Sequence, residues 1–192
     1  PKTPWGKPAL GKKTRKKILE NASKYKKLDI SNERSSFIKG DNFKIMSSML
    51  SSGWSNKIDL IYIDSQFNTN QTFTVKDGRV STISRSKSAT VAYSDQMTPS
   101  EYIEFMRERL ILLRELVSDS GSIYLHIDNK MGHYIKIIMD EIFGVDNFKN
   151  DISRIKSNPK NFARKAYGNQ KDMVLFFAKN KDKNIFNNIT IQ

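Results

Sequence analysis

The stretch IDLIYID, residues 58–64, decides the fold because it is mostly apolar and rich in β-branched and aromatic residues. Such a run is typical of a strand in a sheet that is covered on both faces. A polar loop, SQFNTNQ, follows at residues 65–71. The stretch therefore predicts a central strand that ends at the carboxyl edge of a sheet, where open α/β sheets bind their ligands.

Strands and helices alternate along the rest of the chain. Further strands are predicted at residues 122–127 and 172–178, and a hairpin at residues 72–84 around Asp77-Gly78, a pair typical of a type I′ turn. Thr98-Pro99-Ser100-Glu101 combines an N-cap, a first-turn proline and a capping-box glutamate. Helical patterns cover residues 15–28, 42–50, 98–117 and 132–144. This alternation predicts an α/β fold, a mostly parallel sheet with helices on both faces.

The charge of the chain points to a nucleic-acid partner. Lys and Arg number 33 against 20 Asp and Glu, which gives a net charge of +13. A basic balance of this size is the electrostatic footprint of a nucleic-acid-binding protein, although a membrane-surface protein can share it. No apolar run is long enough to span a bilayer and no signal-like segment is present, so we expect a cytoplasmic protein without a membrane partner.

Cysteine and histidine usage excludes several kinds of chemistry. The chain has no cysteine and only two histidines, His126 and His133. Disulfides, thiol catalysis and thiolate zinc sites are therefore excluded, and we expect no metal centre. His126 lies inside a predicted strand, where a buried structural role is favoured over a catalytic base. Asp128 follows at the end of that strand and either contacts a ligand or caps the next helix.

Three segments together resemble one enzyme family. They are KGDNFKIMSSML with IDLIYIDSQFNTNQTF, the long segment from AYSDQMTPSEY to EIFGVDNF, and KSNPKNFARKAYGNQKDMVLFFAKNKD. Over roughly residues 37–182 the chain is similar to β-class amino-methyltransferases of DNA, especially modification subunits of type III restriction systems. The resemblance implies a partial Rossmann-like fold and site-specific methylation of adenine N6 with S-adenosyl-L-methionine.

The active-site residues that the resemblance implies lie in the loop after the first strand. The family signature Asp-Pro-Pro-Tyr/Phe corresponds here to Asp64, Ser65, Gln66 and Phe67. A duplex adenine must be flipped into a pocket, where Phe67 would stack on it. The Asp64 carboxylate and the carbonyl of residue 65 would accept the amine hydrogens and aim the nitrogen at the methyl group.

Two departures from the family predict that this chain is inactive alone. Ser65 and Gln66 replace two prolines, which fix the backbone and carry no competing N–H. A misplacement of about 1 Å in such a site can cost on the order of 10²-fold in rate. The family's glycine loop for S-adenosyl-L-methionine, Phe-x-Gly-x-Gly, is not found in the sequence. We therefore expect weak or no cofactor binding by a fragment, a truncated product or one half of a split enzyme.

The charge pattern and the resemblance together divide the chain into three parts. Residues 1–30 form a basic amino-terminal arm and helix, unless the arm is merely a solubilising end. Residues 31–182 form the partial methyltransferase catalytic domain. Residues 183–192 are a tail or the start of a missing target-recognition region.

Cofactor-binding and DNA-binding residues are also predicted. The resemblance implies that Asp41 and Asp64 bind the cofactor, with the Asp41 carboxylate near its adenine. An N-cap role for Asp41, at the start of a helix, is equally favoured. A basic, aromatic-containing segment at residues 153–171 either contacts DNA or is a solvated loop. Its candidate DNA-binding residues are Arg154, Lys156, Lys160, Arg164, Lys165 and Tyr167.

Two functions remain open at this stage. The first is the amino-terminal part of a DNA adenine-N6 methyltransferase of a restriction-modification system, with double-stranded DNA and a carboxyl-terminal half or a restriction subunit as partners. The second is a non-catalytic DNA-binding remnant that keeps the basic face. An RNA-binding module would need aromatic recognition strands, which the sequence does not show.

Overall fold

The computed structural model of the protein describes residues 12–28, 35–65, 72–76, 79–81, 90–94, 97–156, 165 and 167–188. The helices are α1 (Lys12–Ala22), α2 (Asn42–Ser51), α3 (Pro99–Leu116) and α4 (Gly132–Phe143). The strands are β1 (Ile58–Asp64), β2 (Thr72–Lys76), β3 (Arg79–Ser81), β4 (Thr90–Ser94), β5 (Val117–Ile127), β6 (Phe148–Ile155) and β7 (Lys171–Ala178).

The main sheet has the strand order β1-β5-β7-β6. β1 and β5 are parallel, and their register places Asp64 opposite His126. The predicted strands at residues 58–63, 122–127 and 172–178 are thus confirmed as members of one sheet, with the first two parallel. Because parallel strands end at the same edge, Asp64 and Asp128 both emerge at the carboxyl edge of this pair.

The prediction of a mostly parallel sheet is corrected, because the sheet is mixed and mainly antiparallel. β7 pairs antiparallel with both β5 and β6. The β5–α4–β6 connection is a helical crossover that leaves β6 pointing the same way as β5, and β7 then returns between them. Sequence reasoning missed β6, whose residues are almost all exposed and which therefore lacks the apolar run of a central strand.

The hydrophobic core lies on one face of the main sheet. Side chains alternate along a strand, so Ile61, Ile123 and Leu125 face the helices and are buried. The opposite face carries Leu60 and Tyr62, which are 63% and 62% exposed. We predicted helices on both faces of the sheet, but among the described residues the helices pack on one face only. The core receives from these helices Tyr102, Met106, Leu110, Ile111, Ile135, Ile138, Met139 and Phe143.

Helix α3 begins as its sequence predicts. The Thr98 hydroxyl accepts a hydrogen bond from the backbone N–H of Glu101 at 3.3 Å, and the Glu101 carboxylate accepts one from the Thr98 N–H at 2.8 Å. These reciprocal bonds form a capping box that satisfies two backbone donors at the helix end. The helix ends at Leu116 and the chain continues directly into β5, which supplies the edge where Asp64 and His126 meet.

Other predicted elements are present with changed bounds. α1 ends at Ala22 rather than at residue 28, while α4 ends before Gly144, whose φ of 99° suits glycine. β2 and β3 pair antiparallel, as predicted for the hairpin, and β4 joins them in a small second sheet. The turn residues 77 and 78 lie outside the described residues. Within the described ranges, no helix is long and apolar enough to cross a membrane.

Candidate active site

The site begins with a hydrogen bond between the two parallel strands. Asp64 is the last residue of β1, and its Oδ1 lies 2.8 Å from Nδ1 of His126 on β5. The Asp64 side chain is 68% exposed, whereas that of His126 is 9% exposed. A buried imidazole thus holds a carboxylate that remains open to a ligand.

A buried carboxylate lies on the other side of the imidazole. Oδ2 of Asp172, on β7, is 3.8 Å from Nε2 of His126, and the Asp172 side chain is only 2% exposed. Burying a carboxylate is costly unless it is paired. Asp172 is paired with two cations at β6, because Lys156 Nζ lies 2.8 Å from Oδ1 and Arg154 Nη1 lies 3.3 Å from Oδ2. Polar contacts therefore cross all four strands of the sheet, from Asp64 to the basic side chains.

Ser65 has contacts of its own at the start of the loop. Its hydroxyl donates to the carbonyl oxygen of His126 at 3.3 Å and lies 3.4 Å from the hydroxyl of Tyr102 on α3. These distances are at the long end for O–H···O hydrogen bonds, so the contacts are weak. They nevertheless tie the loop to β5 and α3. Gln66 and Phe67 lie outside the described residues.

Asp128 stabilises the turn into α4. Its Oδ1 accepts hydrogen bonds from the backbone N–H groups of Lys130 at 3.1 Å and Met131 at 3.2 Å, and its side chain is buried. These bonds close the turn before α4, but Asp128 does not cap the helix itself, because the N-cap residue is Met131 and it has no side-chain cap. The buried Asp128 side chain has little exposed surface for a ligand. Nearby, the Asn169 side-chain amide donates to Oδ1 of Asn129 at 2.9 Å, which fixes the chain just before β7 at the same edge.

Asp41 is an N-cap residue, one of its two predicted roles. Its carboxylate accepts a hydrogen bond from the Lys44 backbone N–H at 3.0 Å, at the beginning of α2. The neighbouring Asn42 accepts from Nε of Arg109 at 2.8 Å. Burial lowers the pKa of Arg109, and the Asp41 carboxylate partly offsets that effect. Asp41 remains exposed, so capping leaves room for the proposed cofactor contact.

The predicted DNA-binding residues fall into three groups. Arg154 and Lys156 contact Asp172 and are thus part of the site. Lys165 and Tyr167 are exposed, and Tyr167 is fully so. Lys160 and Arg164 lie outside the described residues.

Sequence reasoning gave two residues no part in this site. It interpreted His126 as a buried structural residue, which its burial and its hydrogen bond to Asp64 confirm, and it gave Asp172 no role. The signal that could have found His126 is its place near the end of a second apolar strand, since a parallel neighbour of β1 brings it beside Asp64. Asp172 pairs with Arg154 in the β6–β7 register, and no local pattern shows that pairing because β6 itself was not predicted.

The sequence of the chain matches a known family of proteins. The sequence model of a family described as DNA methylase matches residues 58–192. The chain is 38% identical over 146 residues to the type II methyltransferase M.EcaI of Enterobacter cloacae, covering 76% of this chain and 29% of that protein. It is 28% identical over 167 residues to the EcoPI Mod subunit of a type III restriction-modification enzyme from Escherichia phage P1, covering 79% and 25%.

A third relative extends the same relationship. The type II methyltransferase M.KpnI of Klebsiella pneumoniae is 28% identical over 145 residues, which is 76% of this chain and 32% of that protein. The chain thus spans about a third or less of each of these relatives. The family model nevertheless covers both of the strands that carry Asp64 and His126. The chain belongs to this DNA methylase family.

Proposed function

We propose that the chain is part of a DNA adenine-N6 methyltransferase of a restriction-modification system, with residues 31–182 as part of the catalytic domain. One observation carries the proposal: the Asp64 carboxylate is exposed at the carboxyl end of β1 and is held by His126 at 2.8 Å. An acceptor at this edge can bind the hydrogens of a flipped adenine amine. The names of the relatives, methyltransferases and Mod subunits, support the same activity.

The residues of the loop have separate roles in the proposed reaction. Asp64 and the carbonyl of residue 65 accept the two N6 hydrogens, which directs the nitrogen lone pair toward the methyl donor. Phe67 stacks on the flipped base. Aspartate at the first position of the loop supports adenine over cytosine as the target.

S-adenosyl-L-methionine supplies an electrophilic methyl group when it is bound. Two residues of the chain suit such a cofactor, because the exposed carboxylates of Asp41 and Asp64 can accept hydrogen bonds from its amino groups. The glycine loop that contacts the cofactor in related enzymes is not among the 192 residues. Cofactor binding by this chain alone is therefore proposed to be weak or absent.

A further part of the catalytic domain is a proposed partner. β1 is at one end of the main sheet, and Leu60 and Tyr62 expose apolar surface on the face away from the helices. Exposed apolar patches and open strand edges are typical of surfaces that pack against another segment. A carboxyl-terminal half that carries the glycine loop fits this surface, and a restriction subunit and double-stranded DNA are the other proposed partners in the cytoplasm.

The second candidate function is a DNA-binding remnant without methyl transfer. Ser65 and Gln66 favour it, because the contacts of the Ser65 hydroxyl at 3.3 and 3.4 Å restrain the loop less than two prolines would. In this case the basic residues of β6 still contact DNA phosphates, and Asp64 no longer has a chemical role.

Labelled S-adenosyl-L-methionine, with and without duplex DNA, tests the proposal. The chain alone should transfer no methyl group. Joined to the remaining part of the M.EcaI relative, it should methylate adenine, and the double variant Ser65→Pro, Gln66→Pro should do so faster, mainly through kcat. Asp64→Ala should abolish this activity, and Phe67→Ala should weaken it. An assembly that binds cofactor and DNA but transfers nothing, with or without the prolines, would support the remnant.

A further inference from the structure

His126 lies between two carboxylates and is hydrogen-bonded to that of Asp64. On one side its Nδ1 lies 2.8 Å from Oδ1 of Asp64, and on the other its Nε2 lies 3.8 Å from Oδ2 of Asp172. The imidazole is 9% exposed and Asp172 is 2% exposed, so neither group can swing into solvent without disturbing the sheet. The ring therefore has a fixed orientation behind a carboxylate that is itself exposed.

We propose that His126 is the positioning residue of Asp64. The inference rests on the proposed role of Asp64 as the acceptor for the adenine amine. A ligating or catalytic group works best when its own hydrogen-bond partner fixes its angle, as carboxylates do for metal-bound histidines. In this chain the roles are exchanged, because the histidine, His126, orients the carboxylate of Asp64.

Among the described residues, Oδ2 of Asp64 has no hydrogen-bond partner. Oδ1 of Asp64 accepts from the imidazole, which makes a charge-assisted hydrogen bond. Oδ2 is then available to the amine of a flipped base. An unrestrained Asp side chain at 68% exposure would sample several rotamers, and only some of them would direct an oxygen at the amine. Restraint through β5 matters more in this chain because Ser65 and Gln66 lack the rigidity of prolines.

Among the described residues, charged groups from or next to the three other strands lie near the ring. Asp64 comes from β1, Asp172 from β7, and Arg154 with Lys156 from β6 and the residue after it. Two carboxylates thus face two cations, with the imidazole between the carboxylates. Because Asp64 can only accept a hydrogen bond, Nδ1 of His126 carries the proton in this arrangement.

Nuclear magnetic resonance of the 192-residue chain tests the hydrogen bond directly. With two histidines in the sequence, His133→Gln assigns the imidazole signals, and His133 is exposed on α4. We expect the His126 Nδ1 to carry a proton that exchanges slowly with solvent, and Asp64→Ala to accelerate that exchange at least tenfold. An unprotonated Nδ1, or an exchange rate that Asp64→Ala leaves unchanged, would overturn the proposal. This readout requires no methyl transfer, so it is independent of the proposed function.

A matched pair of variants tests the positioning role in the assembled enzyme. The amide nitrogen of asparagine occupies about the position of Nδ1, whereas that of glutamine occupies about the position of Nε2. His126→Gln should therefore lower kcat on the order of 10²-fold with little change in KM for DNA, and His126→Asn should restore most of it. Equal losses in both variants, or a loss confined to KM, would contradict positioning. If the assembled enzyme methylates nothing, the proposed function fails while the proton-exchange result still decides whether His126 holds Asp64.

Discussion

Asp172→Asn should strengthen non-specific binding of duplex DNA. The Asp172 carboxylate lies 2.8 Å from Lys156 Nζ and 3.3 Å from Arg154 Nη1, so in the unaltered chain it competes with phosphates for both cations. Asparagine has the same shape and can still accept one hydrogen bond, but it carries no charge. Arg154 is 58% exposed and can turn toward a phosphate without breaking the core.

The expected size follows from counterion release. Each added phosphate contact steepens the dependence of log K on log salt by about 0.9. One released cation adds one phosphate contact. When salt rises from about 50 to about 200 mM, the DNA affinity of the variant should therefore fall roughly 3.5-fold more than that of the unaltered chain. Fluorescence anisotropy of a labelled duplex across a salt series measures both slopes.

A charge-matched control separates this effect from net charge. Asp146→Asn also raises the net charge by one, but Asp146 is exposed and precedes β6, whereas Arg154 lies near the end of that strand. The separation is roughly 20 Å along the strand, beyond a Debye length of about 10 Å at 0.1 M salt. The slope of log K against log salt for Asp146→Asn should therefore match that of the unaltered chain. Equal slopes for both variants, or weaker binding by Asp172→Asn, would refute the idea that Asp172 holds these cations away from DNA.

Three further predictions concern stability. Gly121→Ala should lower the free energy of unfolding by about 1–3 kcal/mol, because a Cβ would lie 2.9 Å from the carbonyl oxygens of Ile58 and Asp59; an unchanged denaturation midpoint would contradict the close packing of β1 against β5. Leu110→Ala should cost about 2–5 kcal/mol, since the side chain is fully buried in the core. Hydrogen bonds from Thr98 lower the pKa of Glu101 in the folded protein below its ordinary value of 4.5. The capping box therefore stabilises the folded state fully above pH 4.5, and this stabilisation is lost as pH falls through the lower pKa of the folded state. Glu101→Gln should remove this part of the acid dependence of thermal unfolding.

Local signals in the sequence predicted the elements that carry the site. The capping residues Thr98 and Glu101 located the start of α3, and the apolar runs located β1, β5 and β7. These signals depend on neighbours in the chain, so one sequence is enough to detect them. The direction of β7 and the presence of β6 depend on contacts between distant residues, and the exposed pattern of β6 does not predict a strand. The predicted parallel sheet was wrong for that reason.

The site was predictable only in part. Asp64 was found because it ends an apolar strand and because the surrounding segments resemble a known family. His126 and Asp172 become meaningful only through register, which sets Asp64 opposite His126 and Arg154 opposite Asp172. A one-residue shift would turn a side chain to the other face of the sheet, so composition and spacing could not reveal the pairing.

Nucleoside analysis of DNA methylated by the assembled enzyme tests the central claim most directly. The chain, joined to the remaining part of the M.EcaI relative, is incubated with labelled S-adenosyl-L-methionine and duplex DNA, in parallel with its Asp64→Ala variant. We predict label in N6-methyladenine that disappears in the variant while DNA binding persists. Label in N4-methylcytosine, or N6-methyladenine that Asp64→Ala leaves undiminished, would contradict the account of Asp64 as the acceptor for the adenine amine.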